Sequence, residues 1–333
     1  MSNSNARVLV TGGAGMIGSR LVKVLKSQNY DVLVVDNLWR GKLENLNDEF
    51  GKPVIDLNKN FKNLDLTIPN QLDSLLNDVE VVFHLADVVA GISYVFQNQG
   101  DVFRKNILIN SNVIDSVRKA KAIKGFIYTG TACSFPAHLQ SGVDARPLKE
   151  EDQYPASPES SYGWSKLMGE YEALLMEQEC GIPVSVLVLH NVYGSPCDLD
   201  DSRTQVIPSL IKRAIRFPQE PFTVWGSGAQ GRAFLHVEDV VTALISAMKY
   251  GLGAGVIQIG PDVCTSIKDI ATIICDIADK GIEIQYDLTR PEGDKGRRAD
   301  ASKARELLNW TPKVILRDGL QELYDWINNR VAK

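Results

Sequence analysis

The chain lacks long apolar runs, a basic excess and any repeated or low-complexity segment. No run within its 333 residues approaches the roughly 18 apolar residues that a membrane helix requires. The N-terminal Met1–Arg7 has no apolar signal core. A formal charge of −5 is unlike the strong basic excess of nucleic-acid-binding domains. We therefore expect a protein that neither crosses a membrane nor binds nucleic acid.

Cysteine and histidine are scarce and scattered. The five cysteines are an odd number without C-x-x-C spacing, which argues against a disulfide framework and against a zinc site. The four histidines form no H-x-x-x-H pattern, so we expect no metal. Free thiols are typical of a reducing compartment, and a cytoplasmic location is expected. The cysteines are Cys133, Cys180, Cys197, Cys264 and Cys275.

The first half of the chain alternates short apolar runs rich in β-branched residues with longer helical patterns. This alternation is typical of βαβ units around a parallel sheet, and the nearly continuous apolar runs are typical of strands covered on both faces. The predicted strands are Arg7–Thr11, Asp31–Asp36, Val81–Leu85, Gly125–Gly130, Val184–His190 and Val256–Gly260. The predicted helices are Ser19–Gln28, Asn106–Ala120, Tyr162–Glu179, Ser209–Phe217, Val237–Lys249, Ile267–Lys280 and Gly319–Val331.

The composition of the sequence changes after residue 190, where Gly, Pro and Asp become frequent and predict loops. The fold class predicted from this organisation is α/β: a Rossmann doubly wound parallel sheet with a smaller, discontinuous C-terminal domain. The first domain would comprise residues 1–190 and 237–260, and the second residues 191–236 and 261–333.

A glycine-rich turn directly follows the first strand. Gly12, Gly15 and Gly18 have the spacing G-x-x-G-x-x-G and open the first helix. In such a turn, backbone amides, here including those of Met16 and Ile17, reach a pyrophosphate at the positive end of the helix. A glycine triad between a strand and a helix predicts a dinucleotide site.

The second strand ends at Asp36, followed by Asn37. A carboxylate at this position accepts hydrogen bonds from the adenosine ribose and repels the 2′-phosphate of NADP, so NAD is favoured. Arg40 is close enough in sequence to weaken that preference, and Asp-Asn is also an ordinary turn at a strand end. Asp65 and Leu66 would face the adenine, although Asp is equally common at strand ends.

Tyr162 and Lys166 are four residues apart and therefore lie on one face of a helix. A lysine cation beside a phenol lowers the phenol pKa from about 10 towards neutrality, which makes the tyrosine a usable general base. Such a pair also arises by chance. A third residue strengthens the hypothesis: Thr131 follows a predicted strand at the edge of the sheet where α/β proteins bind ligands.

Cys133 lies two residues after Thr131. A free cysteine is usually a small buried hydrophobic residue. Its position at the carboxyl end of a strand instead favours a catalytic role.

Together these motifs resemble the extended short-chain dehydrogenase/reductase family, also described as the NAD-dependent epimerase/dehydratase family. The residues that carry the resemblance are the glycine turn, Asp36, His84-Leu85-Ala86, Thr131, Tyr162 and Lys166. The resemblance implies that the first domain binds NAD, with Leu85 and Ala86 in its site, and that the second binds a nucleotide sugar. Tyr162 would then remove a hydroxyl proton while a hydride passes to NAD.

Within the family, Thr131–Pro136 and Pro291–Arg297 resemble segments of GDP-mannose 3,5-epimerases and, more loosely, of GDP-fucose synthases. There, a cysteine in the context of Cys133 acts as an acid/base at the carbon next to the ketone. Adjacent Asp-Glu, which dehydratases of the family carry after the threonine, is replaced here by Ala132 and Cys133.

The sequence departs from those enzymes at one point. They pair the cysteine with a Lys or His, whereas Gln205 stands nearest to that position here and Arg203 stays protonated. Two alternatives therefore remain open: a 4-epimerase or ketosugar reductase in which Cys133 does no chemistry, and a non-catalytic NAD-binding protein of the same fold.

The resemblance also implies a set of substrate contacts. Arg232 would grip the substrate diphosphate, with Arg297 or Arg298 as a second phosphate contact. Each arginine could instead be a solvated surface charge, and Asn191 a turn residue. The predicted substrate residues are Gly91, Asn191, Gln205, Val206, Arg232, Arg297 and Arg298. A GDP-sugar is the favoured ligand, with UDP-, dTDP- or CDP-sugars as alternatives. The resemblance further implies a homodimer formed through the predicted helices Asn106–Ala120 and Tyr162–Glu179.

Overall fold

The computed structural model describes residues 6–290 and 295–331. The strands are, in chain order, β1 (Arg7–Thr11), β2 (Asp31–Asp36), β3 (Phe61–Asn63), β4 (Val79–His84), β5 (Gly125–Thr131), β6 (Val184–Leu189), β7 (Asn191–Tyr193), β8 (Thr223–Trp225), β9 (Gly231–Arg232), β10 (Phe234–His236), β11 (Gly255–Ile259), β12 (Thr265–Ser266), β13 (Gln285–Asp287) and β14 (Gly296–Arg297). Seven of them form a central parallel sheet in the order β3-β2-β1-β4-β5-β6-β11.

Helices cover both faces of the sheet. The helices are α1 (Met16–Ser27), α2 (Leu57–Asn60), α3 (Ile92–Gln97), α4 (Gln99–Lys119), α5 (Ser161–Cys180), α6 (Val206–Arg216), α7 (Val237–Ser246), α8 (Ile267–Ala278), α9 (Ser302–Leu308) and α10 (Leu316–Val331). One face packs against α4 and α5, and the other against α1, α7 and α9. The sheet strands are buried on both sides, which explains their nearly unbroken apolar sequences.

The predicted Rossmann fold class is confirmed, and the predicted sheet strands agree with the structure to within a residue or two. β3 was missed because it is three residues long and only partly buried. The short helices α3 and α9 were also missed, and α4 begins at Gln99, earlier than its apolar pattern predicts. α7 continues into a turn of π-helix over Ala247–Gly251.

A separate apolar cluster lies among α6, α8 and α10, with Ile211, Phe222, Ile274 and Leu323 at its centre. Three small sheets accompany it: β7 with β10, β8 with β13, and β9 between β12 and β14. α7 and β11 return to the large sheet between these segments, as expected for a discontinuous arrangement. The domain boundaries drawn from the sequence stay a prediction.

Membrane-spanning segments were sought among the described helices. None of them is both long enough and apolar enough to cross a bilayer.

Candidate active site

A cleft with a volume of about 1620 Å³ opens at the carboxyl ends of the sheet strands. Its walls come from the ends of β1, β2, β4 and β5 and from the segments around α6 and β9. Single small-molecule sites measure roughly 300–1,000 Å³. This cleft is large enough for a cofactor and a substrate side by side.

The glycine turn forms one end of the cleft. Gly12 has a φ of +68°, a conformation that favours glycine. A Cβ on Gly18 would lie 2.2 Å from the carbonyl oxygen of Gly12, so only glycine lets α1 approach β1 this closely. The predicted residues of this turn, all of which line the cleft, are Gly12, Gly15, Met16, Ile17 and Gly18.

Asp36 closes the same end of the cleft and is 8% exposed. Its Oδ2 accepts a hydrogen bond from the amide of Ala14 at 2.9 Å, and its Oδ1 accepts one from the amide of Leu38 at 2.7 Å. Burial raises the pKa of Asp36, while the two amide donors oppose that shift. The carboxylate is thus held in a fixed orientation at the position predicted for a ribose contact.

The neighbours of Asp36 divide into those that line the cleft and those that do not. Asn37 and Leu66 line it, as do Leu85 and Ala86 beyond β4. Asp65 is exposed and does not line the cleft, and its Oδ1 accepts hydrogen bonds from the amide and hydroxyl of Thr67. Its contact with the adenine stays a prediction.

α5 brings Tyr162 to the other end of the cleft, whereas Lys166, one turn further along the helix, is buried and is not among the residues that line the cleft. Ser160 caps the helix by accepting from the amide of Gly163 at 3.2 Å. A Cβ on Gly163 would lie 2.1 Å from the carbonyl oxygen of Cys133, so this glycine allows α5 to pack directly against the Cys133 turn. Thr131 accepts from the amide of Cys133 at 3.2 Å, and both residues line the cleft with Tyr162.

Asp87 is a residue of the site that sequence reasoning missed. Tyr162 Oη donates to Asp87 Oδ2 at 3.0 Å, and Lys166 Nζ lies 3.6 Å from the same oxygen. Asp87 follows Ala86 just beyond the carboxyl end of β4, and β4 pairs with β5 in the sheet. A charged residue three positions after the end of this strand, at the edge of the sheet where α/β proteins bind ligands, is the signal that could have identified it.

The pKa of Tyr162 is raised well above its usual value, first by desolvation and then by electrostatic interaction with Asp87 and Cys133. This direction is opposite to the one predicted from the Tyr-x-x-x-Lys spacing. The main reason is the burial of the hydroxyl group, and Asp87, which lies beside both Tyr162 and Lys166, adds to the shift. Burial lowers the pKa of Lys166, and Asp87 opposes that shift.

These features together test whether a dinucleotide fits. The glycine turn leaves no room for a Cβ and exposes amides at the start of α1. Lys166 is 1% exposed, and its ammonium has no hydrogen-bond partner in the protein. A buried ammonium with unused donors matches the ribose hydroxyls of a cofactor. With Asp36 at the opposite end, the residues present fit NAD.

Hydrogen bonds among buried side chains fix the end of β4 and the loop that carries Asp87 to β1 and α4. His84 Nδ1 contacts Thr11 Oγ1 at 2.8 Å, and its Nε2 contacts Asn110 Oδ1 at 3.1 Å. Burial lowers the pKa of His84 to about 3, so the ring is neutral. Asn106 Oδ1 accepts from the amide of Val88 at 2.7 Å, and its Nδ2 donates to the Val88 carbonyl. The loop carrying Asp87 is therefore fixed to α4.

Arg297 projects towards Cys133. Its Nη2 donates to Cys133 Sγ at 3.3 Å, and its Nη1 donates to Gln140 Oε1 at 3.0 Å and to the carbonyl of Ala132 at 3.3 Å. Arg297 is 5% exposed and pairs in register with Arg232 of β9. Residues 291–294 of the motif that precedes Arg297 lie outside the described part of the chain.

The remaining predicted substrate residues separate into two groups. Arg298 turns away from the cleft and donates to the carbonyl of Ala145 at 3.2 Å. Gln205 immediately precedes α6. The predicted residues that line the cleft are Gly91, Asn191, Gln205, Val206, Arg232 and Arg297.

Two loops from opposite walls of the cleft are joined by an ion-pair clasp, formed by Arg40, Asp198 and Arg203. Asp198 Oδ2 lies 3.4 Å from Arg40 Nε and 3.3 Å from Arg203 Nε. Arg40 also donates to the carbonyl of Val89, and Arg203 donates to that of Trp39 at 2.9 Å. Arg40, which is close enough in sequence to Asp36 to favour the 2′-phosphate of NADP, instead binds Asp198 and the carbonyl of Val89 within the protein.

Comparisons with known proteins agree with this geometry. The sequence profile of the NAD dependent epimerase/dehydratase family matches residues 8–260. GDP-mannose 3,5-epimerase 1 of Oryza sativa subsp. indica is 29% identical over 327 residues, which is 98% of this chain and 83% of that protein. UDP-glucuronic acid decarboxylase 3 of Arabidopsis thaliana is 31% identical over 324 residues, which is 95% of this chain and 87% of that protein.

Solved structures give the same result. The UDP-glucose 4-epimerase of Thermotoga maritima with UDP-glucose superposes with a TM-score of 0.85 at 29% identity, covering 97% of this chain and 99% of that one. The UDP-glucuronic acid 4-epimerase of Bacillus cereus with UDP-glucuronic acid and NAD gives 0.82 at 28% identity, with coverages of 97% and 99%. Because the profile spans well over half of the chain and the sheet order and glycine turn agree with it, the protein belongs to the NAD dependent epimerase/dehydratase family and uses NAD as its cofactor.

Proposed function

We propose that this protein is a nucleotide-sugar epimerase that retains NAD, oxidises a sugar hydroxyl transiently and inverts a ring carbon beside the resulting ketone. The observation that carries the proposal is the convergence of Thr131, Cys133 and Tyr162 on one cleft that also contains the glycine turn. The similarity to epimerases of GDP- and UDP-sugars supports the same reaction class. A non-catalytic NAD-binding protein would have no use for the contacts around the Tyr162 hydroxyl.

The first half-reaction is the oxidation of a hydroxyl group. When bound, NAD supplies a reversible hydride acceptor for this step. Tyr162 takes the hydroxyl proton at Oη, and Thr131 orients the same substrate oxygen from the end of β5. Lys166 places its ammonium group close to Tyr162, with Nζ 4.6 Å from the ring centroid of Tyr128.

The second half-reaction moves a proton at the carbon beside the ketone, and we assign this role to Cys133. Cys133 lines the cleft, and the Arg297 guanidinium places a cation in hydrogen-bond contact with its Sγ at 3.3 Å. The side-chain amide of Gln205 cannot act as an acid or a base. The proposal is therefore a GDP-mannose 3,5-epimerase-like reaction in which Cys133 removes the proton from one face of the ring carbon and, without a Lys or His partner, solvent water delivers a proton to the opposite face. A 4-epimerase in which Cys133 does no chemistry is the alternative.

The substrate would be a GDP-sugar, with UDP-, dTDP- and CDP-sugars as competing candidates. Arg232 lines the cleft and is half-buried, with its Nη1 donating to the carbonyl of Gly231. A guanidinium suits a diphosphate. Arg297 faces Cys133, so we assign the diphosphate contact to Arg232 and not to Arg297 or Arg298.

The test is to incubate the protein with a panel of nucleotide sugars in D2O and to follow the sugar protons by NMR. We expect inversion accompanied by deuterium at a ring carbon next to the oxidised one. Cys133→Ala should abolish deuterium uptake, and Tyr162→Phe should abolish both uptake and oxidation. Inversion without deuterium would contradict the role of Cys133 and support a 4-epimerase. Co-purified NAD with no conversion of any sugar would support the non-catalytic alternative.

A homodimer built through α4 and α5 is part of the proposal. The outer faces of these helices carry large exposed apolar side chains, among them Phe103, Leu108 and Tyr171. Tyr171→Asp should lower the mass measured by light scattering to that of one chain, whereas Tyr250→Asp, an exposed position after α7, should not. A cytoplasmic location remains a prediction, to which the five free cysteines are suited.

A further inference from the structure

We infer that Asp87 is the terminal acceptor of the proton that Tyr162 removes from the substrate, so that Tyr162 works as a relay. This inference rests on the proposed function. Its basis is the hydrogen bond from Tyr162 Oη to Asp87 Oδ2 at 3.0 Å, together with the 3.6 Å distance from that oxygen to Lys166 Nζ.

The placement of Asp87 leaves little freedom for its carboxylate. Its side chain is 13% exposed, and the next residue, Val88, is fixed through both its amide and its carbonyl to Asn106. Asp87 therefore faces the tyrosine hydroxyl because the loop directs it there. A flexible surface carboxylate would not be held in this way.

The charges around this pair favour a relay over a free phenolate. An anionic Asp87 beside a phenolate would place two negative charges about 3 Å apart, which is strongly unfavourable. Desolvation and Asp87 accordingly raise the pKa of Tyr162. A tyrosine that gives its own proton to Asp87 as it receives one from the substrate never has to become an anion.

In the oxidation, one C–H and one O–H bond of the sugar break, and a C=O double bond forms. Bound NAD, the cofactor of the family, would accept the hydride with the electron pair of the broken C–H bond. The hydroxyl proton bonds to Tyr162 Oη while the original phenolic proton moves to Asp87 Oδ2. The reverse transfer restores both residues when the ketone is reduced.

Other titratable groups face the pair from each neighbouring element. From α5 there are Lys166 and, one turn further along, Glu170; from β5 and the turn after it there are Tyr128 and Cys133. On the side of β4, His84 is neutral. Among these groups Lys166 is the cation beside Asp87, with its Nζ 3.6 Å from Asp87 Oδ2.

The test uses the full-length protein with its NAD and the nucleotide sugar that the panel identifies. We expect Asp87→Asn to slow formation of the reduced nicotinamide by about 100-fold at neutral pH, the size typical of general acid–base catalysis. Its rate should recover only at alkaline pH, because Tyr162 must then ionise. Asp87→Ala should be partly rescued at neutral pH by added formate, whereas Asp87→Asn should not.

The opposite result would follow from an electrostatic role alone. Removing the negative charge would then lower the pKa of Tyr162 and make Asp87→Asn faster at neutral pH. A faster or unchanged Asp87→Asn enzyme, or an Asp87→Ala enzyme that formate does not rescue, overturns the inference. Asp115→Asn is the folding control, since Asp115 pairs with Lys119 on the outer side of α4.

A second measurement does not depend on turnover. The ultraviolet absorbance of tyrosinate is titrated in wild type, Asp87→Asn, and each combined with Tyr162→Phe, so that differences isolate Tyr162. We expect ionisation of Tyr162 at lower pH in Asp87→Asn. An unchanged titration overturns the Tyr162–Asp87 contact itself. If no sugar is converted by wild type while this titration shifts, the proposed function fails and the contact stands.

Discussion

Arg297 Nη2 donates to the sulfur of Cys133 at 3.3 Å, although the two residues are 164 positions apart in the chain. The same guanidinium is anchored by Gln140 and by the carbonyl of Ala132, so its position beside the sulfur is fixed. An arginine does not release its proton and is therefore no acid or base itself. Its place beside Cys133 is therefore that of a permanent cation.

The first prediction concerns this cation. Arg297→Gln should reduce deuterium uptake at the ring carbon by about 100-fold, comparable with the loss of one preorganised donor to a developing anion. Formation of reduced nicotinamide should fall much less, because Tyr162 performs that step. NMR in D2O measures the first rate, and nicotinamide absorbance in a single turnover measures the second.

Arg298→Gln is the matched control for this prediction. Its guanidinium donates to the carbonyl of Ala145, away from the cleft. Equal losses of deuterium uptake in the two variants would refute a specific effect on Cys133. The melting temperatures of both variants separate a loss of folding from a loss of chemistry.

The second prediction concerns Asp36. Its carboxylate is oriented by the amides of Ala14 and Leu38, and its remaining lone pairs are free for ribose hydroxyls. Asp36→Ala should weaken NAD binding by roughly 10- to 100-fold, which corresponds to the 1.5–3 kcal/mol of a hydrogen bond to a charged group. It should also narrow the preference for NAD over NADP. Calorimetric titration of the cofactor-free protein with each dinucleotide measures both effects, and Asp65→Asn should bind NAD as wild type does.

Local patterns were sufficient to predict much of the fold and part of the site. The strands are continuous apolar runs, the glycine turn follows β1 directly, and Asp36 is the last residue of β2, so their places at the sheet edge depend only on parallel topology. Tyr162 and Lys166 share a helix face through their spacing. Each of these features is encoded within about one helical turn or one strand end.

The interactions that were missed join distant parts of the chain. Asp87 contacts Tyr162 across 75 positions, and Arg297 contacts Cys133 across 164. These contacts depend on which loops meet above the sheet and on where β14 lies relative to β5. The expected fall in the pKa of Tyr162 was wrong because the spacing of two residues reveals neither the burial of the hydroxyl group nor the charge of Asp87 beside it.

The third prediction concerns the clasp. Asp198 is the anion between Arg40 and Arg203, and its side chain is only 9% exposed. Asp198→Asn leaves two guanidiniums without their shared partner and should loosen the loops that line the cleft. We expect NAD to dissociate roughly tenfold faster, the equivalent of about 1.4 kcal/mol. The dissociation rate is measured by dilution into a trap that binds free NAD, with Asp262→Asn, an exposed position, as the control. An unchanged rate would mean that the clasp does not retain the cofactor.

The last prediction is a pH dependence that originates at Glu170. This side chain is 1% exposed and accepts from Gln153 Nε2 at 3.1 Å. Burial raises its pKa to about 7 from 4.5, although Gln153 and Lys166 act in the opposite direction. Between these values the folded protein binds a proton that the unfolded chain has lost, so the stability contributed by Glu170 is present below pH 4.5 and is lost as the pH rises towards 7.

Two buried histidines act in the opposite sense and have to be separated from Glu170. Burial lowers the pKa of His84 to about 3 and that of His190 to about 4, so their contribution is lost as the pH falls below 6.5. The free energy of unfolding of the wild type therefore combines pH dependences of opposite sign. Only the difference in this free energy between wild type and Glu170→Gln isolates the contribution of the carboxyl group. Denaturant unfolding should show Glu170→Gln gaining on wild type by up to about 3 kcal/mol as the pH rises from about 4.5 to 7. The same comparison with Glu179→Gln, whose carboxylate is exposed beside Arg118, should show no such gain. A flat difference for Glu170→Gln would mean that its carboxyl group keeps an ordinary pKa.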